Sequence, residues 1–370
     1  MRLLIAGLTT RAIAESAVRA GYDVITVDYF GDLDQKRLCA NVSLRERGLG
    51  YGAQAILSVA RDLAYDALAY CGGLENAPDA VAVLAAGRRL LGNEPETLRR
   101  VRDPAVLLPF LASRGWRVPR TLAREEARPA AGAWLRKPVH GGGGQGVRVW
   151  HGQRLAPGQM LQEYVAGVSA SAIFVADGRG SRLLACTEQL HRPRGFAYGG
   201  NILPLAAAAA ILEDVRAIAE ALTGEFALRG VNGLDFVLDD GGPVALEVNP
   251  RYSASMELFE RATGVSVFEL HRRACEGALP AAPASPSGFW GKAIVYASTT
   301  VSVGDTVGWI AGGVRDVPHP GEIIAKGHPI CTVFASAPSR PECWRRLRAE
   351  SEVIRRRCSA ALPSASPGGA

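Results

Sequence analysis

Long apolar runs, paired cysteines and lysine are all scarce in this chain of 370 residues. No stretch approaches the roughly 20 apolar residues that a membrane-spanning helix needs, and the first apolar run is shorter than a secretory signal requires. The seven cysteines include no C-x-x-C pair, and the six histidines show no zinc-binding spacing. We therefore expect a cytoplasmic protein with reduced cysteines, without a membrane partner and without a zinc site.

The net charge of +6 is carried almost entirely by arginine, because the only lysines are Lys36, Lys137, Lys292 and Lys326. The basic residues are dispersed along the chain. Their densest cluster, residues 355–357, lies where a last helix would end, and cations there complement the helix dipole. This distribution favours small anionic ligands over nucleic acid as partners.

The order of apolar segments predicts several packed units. Residues 2–6, 11–21 and 23–30 have the patterns of a strand, a helix and a strand, which is a β-α-β unit with a parallel sheet. Residues 280–288 are rich in proline, alanine and serine, as linkers are. We predict a Rossmann-like domain over 1–100, a second domain over 101–278, a small β unit plus helix over 289–358, and a disordered tail over 359–370.

A run of four glycines is the first chemical signal. Lys137 and Pro138 precede it, and the run itself is Gly141, Gly142, Gly143 and Gly144. Glycine backbone can approach an anion closely and present N–H groups to it, and Lys137 would place a compact cation beside a phosphate. The spacing fits neither a P-loop nor a dinucleotide fingerprint. A flexible hairpin loop without a ligand is the alternative interpretation.

Two acidic residues on a predicted hairpin are the second signal. Strand alternation places Glu247, Asn249 and Arg251 on one face, and the hairpin could bring Asp235 beside them. Carboxylate and amide oxygens suit Mg²⁺ that bridges nucleotide phosphates. Arg251 could hold a transferring phosphoryl group. The alternative is a solvated strand face.

A short strand, LQEYVAG at 161–167, is the third signal. Glu163 could accept a hydrogen bond from the amino group of adenine, and the backbone at Tyr164 and Val165 could contact the edge of the ring. An ordinary strand end is the alternative interpretation.

The segments KPVHGGGGQGV, QEYVAG and GLDF…LEVNPR, in this order, resemble the motifs of the ATP-grasp superfamily. The resemblance covers roughly residues 1–278. It implies an α/β protein whose ATP-grasp part has an α+β fold. A Rossmann-like domain would come first, then the ATP-grasp subdomains, then the small β-rich unit. The segments GVSAS, VDYFGDLDQ and DVPHPGEIIAKGHPICTV resemble the branch that contains the tyramine–glutamate ligase of methanofuran biosynthesis and the pyrrolysine-pathway ligase.

Two positions depart from the family pattern. Many relatives hold the α-phosphate with a basic residue where this chain has Pro104, so Arg102, or Arg100 beside it, is expected to take that role. Many relatives bind ribose with a glutamate where this chain has Ser169. Ser169 is therefore the expected ribose contact.

The resemblance implies an ADP-forming ligase that uses ATP and Mg²⁺, with Mn²⁺ as an alternative ion. A carboxylate, of glutamate or another amino acid, would become an acyl phosphate, and an amine would displace the phosphate. Lys137 and Arg251 would be catalytic, and the product could belong to a methanofuran-like one-carbon carrier. The expected partners are these small molecules, with a homodimer as the candidate assembly.

Substrate contacts are expected at the carboxyl ends of the first strands, where open parallel sheets bind ligands. The candidates are Thr10 and Arg11 after the first strand and Glu75 and Asn76 after a later one. Glu75 and Asn76 could instead cap a helix. A second candidate loop contains Tyr198 and Asn201.

Two other functions compete with the ligase. A nucleotide-binding sensor or scaffold without turnover is favoured by Pro104, but the intact set of Lys137, Asp235, Glu247, Asn249 and Arg251 opposes it. An oxidoreductase would need a glycine fingerprint after the first strand, and GLTTRA has only one glycine.

Overall fold

A computed structural model describes residues 1–124, 129, 132–193, 195–281 and 286–360. The middle of the predicted linker, 282–285, and the predicted tail from 361 onwards lie outside these residues. None of the described helices combines the length and the apolar character that crossing a bilayer requires.

The N-terminal region alternates strands with helices around a parallel sheet. The strands lie in the order β3-β2-β1-β4-β5, as predicted for a Rossmann-like unit. A short 3₁₀ turn at Leu74–Asn76 follows β4. The elements are β1 Arg2–Ala6, α1 Arg11–Arg19, β2 Asp23–Asp28, α2 Leu33–Leu38, β3 Ala40–Ser43, α3 Ala53–Ala60, β4 Ala67–Tyr70, α4 Pro78–Ala85 and β5 Arg89–Leu91.

Two helices lead into a small four-stranded sheet. Each helix begins with a proline, whose missing N–H group costs no hydrogen bond at the first helical position. The strands lie in the order β6-β9-β7-β8, and the glycine run connects β7 to β8. The elements are α5 Pro95–Val101, α6 Pro104–Ser113, β6 Thr121–Leu122, β7 Trp134–Pro138, β8 Arg148–Val149 and β9 Gln159–Glu163.

A larger sheet forms the centre of the molecule. Its middle strand, β10 (Val168–Asp177), is buried on both faces: Ala172 and Phe174 pack towards one helical layer, Ile173 and Val175 towards the other. The remaining elements before the linker are β11 Ser181–His191, β12 Tyr198–Leu203, α7 Ala209–Phe226, β13 Arg229–Asp239, β14 Gly242–Asn249, α8 Ala254–Thr263 and α9 Val267–Cys275.

The C-terminal region extends this central sheet instead of forming a separate unit. Its elements are β15 Phe289–Tyr296, β16 Val301–Val303, α10 Val307–Ala311, β17 Ile323–Ile324, β18 Pro329–Ala337, α11 Arg340–Arg357 and β19 Cys358–Ala360. The central sheet has the order β14-β13-β10-β11-β12-β15-β18, and only β16, β17 and β19 form a small sheet of their own. The first two residues of the predicted tail, 359 and 360, pair with β16.

The alanine-rich pattern of residues 205–223 predicts a helix that ends at Gly224, and helix α7 continues past this glycine. It runs through Gly224 to Phe226, and Ala227 then adopts a left-handed conformation with φ 52°. Glycine costs about 1 kcal/mol in a helix. Phe226 is 1% exposed and packs edge-to-face against Phe110. Burying such a side chain contributes about 1.5–3 kcal/mol, which outweighs the glycine.

A buried charge cluster joins the N-terminal and C-terminal regions. Arg11 is 1% exposed, and its guanidinium contacts Glu257 on α8 and Asp316 near the C-terminal sheet. Lys292 on β15 donates to the same Glu257 at 2.6 Å. Burial opposes the charge of Arg11, but the carboxylates outweigh burial and raise its pKa.

Replacing Arg11 with methionine should destabilise the protein by about 3–5 kcal/mol, because it leaves buried carboxylates without their cation. Urea unfolding measures the change. The control is Arg2→Met, which removes a half-exposed pair with Asp23 and should cost less than about 1 kcal/mol. Equal effects of the two substitutions would contradict the proposed burial cost.

Candidate active site

A cavity of ≈ 260 Å³ opens between the four-stranded sheet and the central sheet. Residues far apart in sequence converge on it, and fifteen of the predicted site residues line it. They are Lys137, Gly141, Gly142, Gly143, Gly144, Glu163, Tyr164, Val165, Ser169, Tyr198, Asn201, Asp235, Glu247, Asn249 and Arg251.

The glycine loop, residues 141–146, packs against the segment that enters β12. The N–H of Tyr198 donates to the carbonyl oxygen of Gly143 at 2.9 Å. A Cβ atom on Gly144 would lie 1.9 Å from the carbonyl oxygen of Phe196, and the φ of Gly144 is +66°. Both facts require glycine at this position, so the loop is shaped by close backbone contact as well as by flexibility.

Lys137 points from β7 towards the acidic residues of the central sheet. Its Nζ lies 3.6 Å from Oε2 of Glu247 and donates to Oε1 of Gln162 at 3.2 Å. The side chain is 13% exposed. The predicted cation therefore lies inside the cavity, between the glycine loop and the acidic pair.

The predicted hairpin pairs the two carboxylates directly. Asp235 on β13 and Glu247 on β14 are cross-strand partners. Amide groups hold both oxygens of Asp235: Asn249 Nδ2 donates to Oδ2 at 2.9 Å, and Gln189 Nε2 donates to Oδ1 at 2.8 Å. The side-chain amide of Asn249 thus lies beside the carboxylates, as strand alternation predicted.

The electrostatics of this pair fit a divalent cation. Burial, and then the charge of Glu247, raise the pKa of Asp235 to about 6. Burial would also raise the pKa of Glu247, but Lys137, Arg102 and Arg251 outweigh it and lower that pKa. Within the described residues, no three His, Cys, Asp or Glu side chains form a metal cage. An ion here would take Asp235, Glu247 and Asn249, with its other ligands coming from phosphate and water, which suits Mg²⁺.

Arg251 is held by a residue of the N-terminal domain. Its Nε donates to Oε1 of Glu75 at 2.8 Å, and its Nη2 donates to Oδ1 of Asn249 at 3.1 Å. Burial opposes the charge of Arg251, but Glu75 raises its pKa. Glu75 is 1% exposed, so it orients the arginine and is not an open substrate contact. Neither Glu75 nor Asn76 caps α4, which begins after Ala77.

Glu163, at the end of β9, lines the cavity, but its carboxylate already pairs with another side chain. Arg120 donates to both oxygens of Glu163 at 3.1 Å. This geometry does not support the predicted contact between the Glu163 side chain and adenine. Tyr164 packs edge-to-face with Phe196 at 6.1 Å between ring centroids. These two rings form an aromatic part of the cavity lining.

Five predicted contacts lie away from the cavity lining: Glu75, described above, and Thr10, Arg11, Asn76 and Arg102. Thr10 is fully buried and donates to Asp28, and Arg11 belongs to the buried charge cluster. Asn76 accepts a hydrogen bond from Arg102, whose guanidinium also reaches two backbone carbonyls. The sheet edge of Thr10 and Arg11 is covered because Asp316 and Glu257 pack onto it.

Strand alternation could have identified several lining residues that the motif reading missed. Ser171 is two residues after Ser169 on β10, and His191 is two residues after Gln189 on β11. All four line the cavity. Other missed lining residues include Gln162, Phe196, Ser253 and Ser255. Gln162 lies on β9, where the strand period of two marks it, whereas Phe196, Ser253 and Ser255 lie outside the strands, so no strand pattern marks them.

Comparison with known proteins relates the middle of the chain to a family. The sequence of residues 102–255 matches the family model described as the ATP-grasp domain. Residues 102–255 form an ATP-grasp domain. This match confirms the predicted superfamily, whereas the branch of the tyramine–glutamate and pyrrolysine-pathway ligases stays a prediction. The predicted enzyme class, an ATP-grasp carboxylate–amine ligase, agrees with the domain.

Known proteins resemble this chain over most of its length, one in sequence and others in fold. An uncharacterized protein of Methanocaldococcus jannaschii is 22% identical over 365 residues, covering 90% of this chain and 88% of that protein. The structure of a biotin carboxylase–βγ-ATP complex from Campylobacter jejuni has a TM-score of 0.75 at 16% identity, covering 94% of this chain and 90% of that one.

An L-amino acid ligase from Bacillus licheniformis has a TM-score of 0.70 at 16% identity, with 98% of this chain and 99% of that chain covered. The chain spans only 37% of the pyruvate carboxylase from Rhizobium etli, which it matches with a TM-score of 0.73 at 17% identity over 94% of its own length. At these identities the likeness establishes the fold, and it confirms the predicted fold class.

A non-hydrolysable ATP analogue should raise the melting temperature of the protein substantially only when Mg²⁺ is present, because the facing carboxylates and the phosphates need a cation between them. Thermal unfolding with and without Mg²⁺ measures this. Asp235→Asn should abolish the Mg²⁺-dependent part. Asp239→Asn, at the far end of the same strand, should preserve it. A full shift without Mg²⁺ would count against the metal assignment.

Lys137→Ala should lower turnover by about 10²–10³, the usual cost of one charge-stabilising donor. The variant should still fold, with a lower melting temperature because Glu247 keeps Arg102 and Arg251 but loses its nearest cation. The matched control is Lys326→Ala, because Lys326 is exposed. Steady-state kinetics at saturating ATP and thermal unfolding test both variants. Turnover near that of the wild type would remove Lys137 from the catalytic set.

Proposed function

We propose that the protein is an ATP-dependent ligase that activates a carboxylate as an acyl phosphate and joins it to an amine, releasing ADP and phosphate. The observation that carries this proposal is the convergence of Lys137, Asp235, Glu247, Asn249 and Arg251 on one cavity under a glycine loop. These are the groups that phosphoryl transfer to an oxygen requires.

The cavity lining combines apolar and charged residues. Leu135, Val165 and Leu246 would pack against an adenine ring, and Lys137 with the acidic pair would lie beside the phosphates. The fold likeness to a biotin carboxylase solved with an ATP analogue supports this assignment. Mg²⁺, with Mn²⁺ as the alternative, would supply charge neutralisation at the phosphates when bound by Asp235, Glu247 and Asn249.

The residues of the cavity stabilise the charges that develop in the two chemical steps. A carboxylate oxygen of the substrate bonds to the γ-phosphorus, and ADP leaves with the electrons of the broken P–O bond. Lys137 and the N–H groups of the loop stabilise the charge that accumulates on the phosphate oxygens. The amine nitrogen then bonds to the acyl carbon, phosphate departs, and the nitrogen loses its proton to solvent or phosphate. Arg251 stabilises the oxyanion of the tetrahedral intermediate.

The finer proposal concerns the substrates. The carboxylate belongs to glutamate or another amino acid, and the product belongs to the biosynthesis of a methanofuran-like one-carbon carrier. The support is the resemblance of residues 167–171 and of the late segment at 316–333 to the corresponding ligases, together with the fold likeness to an L-amino acid ligase. A homodimer stays the predicted assembly.

If the ligase proposal is correct, ADP and phosphate should accumulate only when a carboxylate and an amine are both supplied. With ATP and the carboxylate alone, hydroxylamine should trap the acyl phosphate as a hydroxamate. A coupled ADP assay across amino acids and amines, with Lys137→Ala as the control, tests this. AMP and pyrophosphate would refute the mechanism. ATP binding without ADP release for any pair would favour the sensor or scaffold.

A further inference from the structure

Arg102 connects three separate parts of the molecule. It follows α5, at the start of the ATP-grasp domain, and is 7% exposed. Its Nε donates to Oδ1 of Asn76 at 3.0 Å, its Nη1 to the carbonyl of Val248 at 2.9 Å, and its Nη2 to the carbonyl of Gly141 at 2.7 Å. One guanidinium therefore bonds to the turn after β4, to the strand that carries Glu247 and Asn249, and to the glycine loop.

All three acceptors are neutral oxygen atoms. The contacts consequently fix the position of the guanidinium without neutralising its charge, and that charge acts on Glu247 from a distance. An arginine that moved to a phosphate would leave the buried carbonyl of Val248, or the partly buried carbonyl of Gly141, without its donor. An unpaired buried carbonyl costs about 1–3 kcal/mol, so the existing contacts oppose such a movement.

We propose that Arg102 is a positioning residue, which sets the glycine loop against β14 through the carbonyl of Gly141 while Asn76 holds the guanidinium, and that it is not a ligand of the α-phosphate. This inference rests on the proposed nucleotide site. It reassigns Arg102 from the role that the family resemblance implied. It also gives Asn76, which lies in the N-terminal domain, a function in shaping a loop of the ATP-grasp domain.

The decisive variant is Asn76→Ala, because it removes one acceptor and leaves every charge and every nucleotide-facing group in place. In the nucleotide-free protein, the amides of 141–146 should exchange with deuterium about tenfold faster in Asn76→Ala and in Arg102→Lys. Asn76→Asp keeps an oxygen acceptor and should restore the slow exchange. Arg100→Lys is the matched control, since Arg100 lies on α5, which Arg102 follows, and pairs with exposed Glu225 instead of lining the cavity.

Nucleotide binding supplies the second measurement. With Mg²⁺ and a non-hydrolysable ATP analogue, Asn76→Ala and Arg102→Lys should each raise the dissociation constant by about 10–100-fold, as loss of an orienting partner does. The double variant should be no weaker than the weaker single variant, because the two residues act as one unit. In turnover, KM for ATP should rise more than kcat falls.

The proposal is overturned if Asn76→Ala keeps wild-type loop exchange and wild-type nucleotide affinity while Arg102→Lys alone loses affinity. That pattern would identify a direct phosphate ligand. If Arg102→Lys does not fold, Asn76→Ala and Asn76→Asp still decide the question. The exchange measurement needs no nucleotide, so it distinguishes a failure of this inference from a failure of the proposed ligase function.

Discussion

The site depends on the repulsion between two carboxylates, Asp235 and Glu247, which occupy paired positions on the two strands of a hairpin. Asp235 and Glu247 are both partly buried, and like charges at paired positions of a hairpin raise the energy of the folded state. Cations from separate segments offset that cost: Lys137 from the small sheet, Arg251 from the segment after β14, and Arg102 from the residue after α5. The same arrangement suits the metal-bound polyphosphate that the proposed function requires.

The N-terminal domain takes part in this balance although it contributes little to the cavity wall. Its turn at 74–76 supplies Glu75 to Arg251 and Asn76 to Arg102. Two adjacent residues therefore orient two arginines, each of which reaches a different part of the ATP-grasp domain. The position of this turn is thereby coupled to the geometry of the charged groups around the cavity.

The sequence predicted this site to the extent that local patterns encode it. Strand alternation and hairpin geometry correctly placed Glu247 and Asn249 beside Asp235, and the glycine run correctly marked a loop over the cavity. Side-chain partners supplied by distant segments could not be read in this way. Glu163 is occupied by Arg120, and Arg11 is covered by Glu257 and Asp316, because tertiary packing decides which charges meet. The end of α7 was misplaced for a similar reason, since burial of Phe226 outweighs the local preference of Gly224.

The sharing of one sheet by β12 and β15 has a consequence for dissecting the molecule. The proline-rich segment near 280–288 resembles a boundary at which a chain could be cut, yet the strand that follows it pairs with β12 along residues 200–203. Truncation there would expose the backbone N–H and C=O groups of β12 as an open edge, a template for pairing with other chains. The linker in the sequence is thus not a boundary in the structure, and a shortened catalytic fragment should aggregate before it reports on activity.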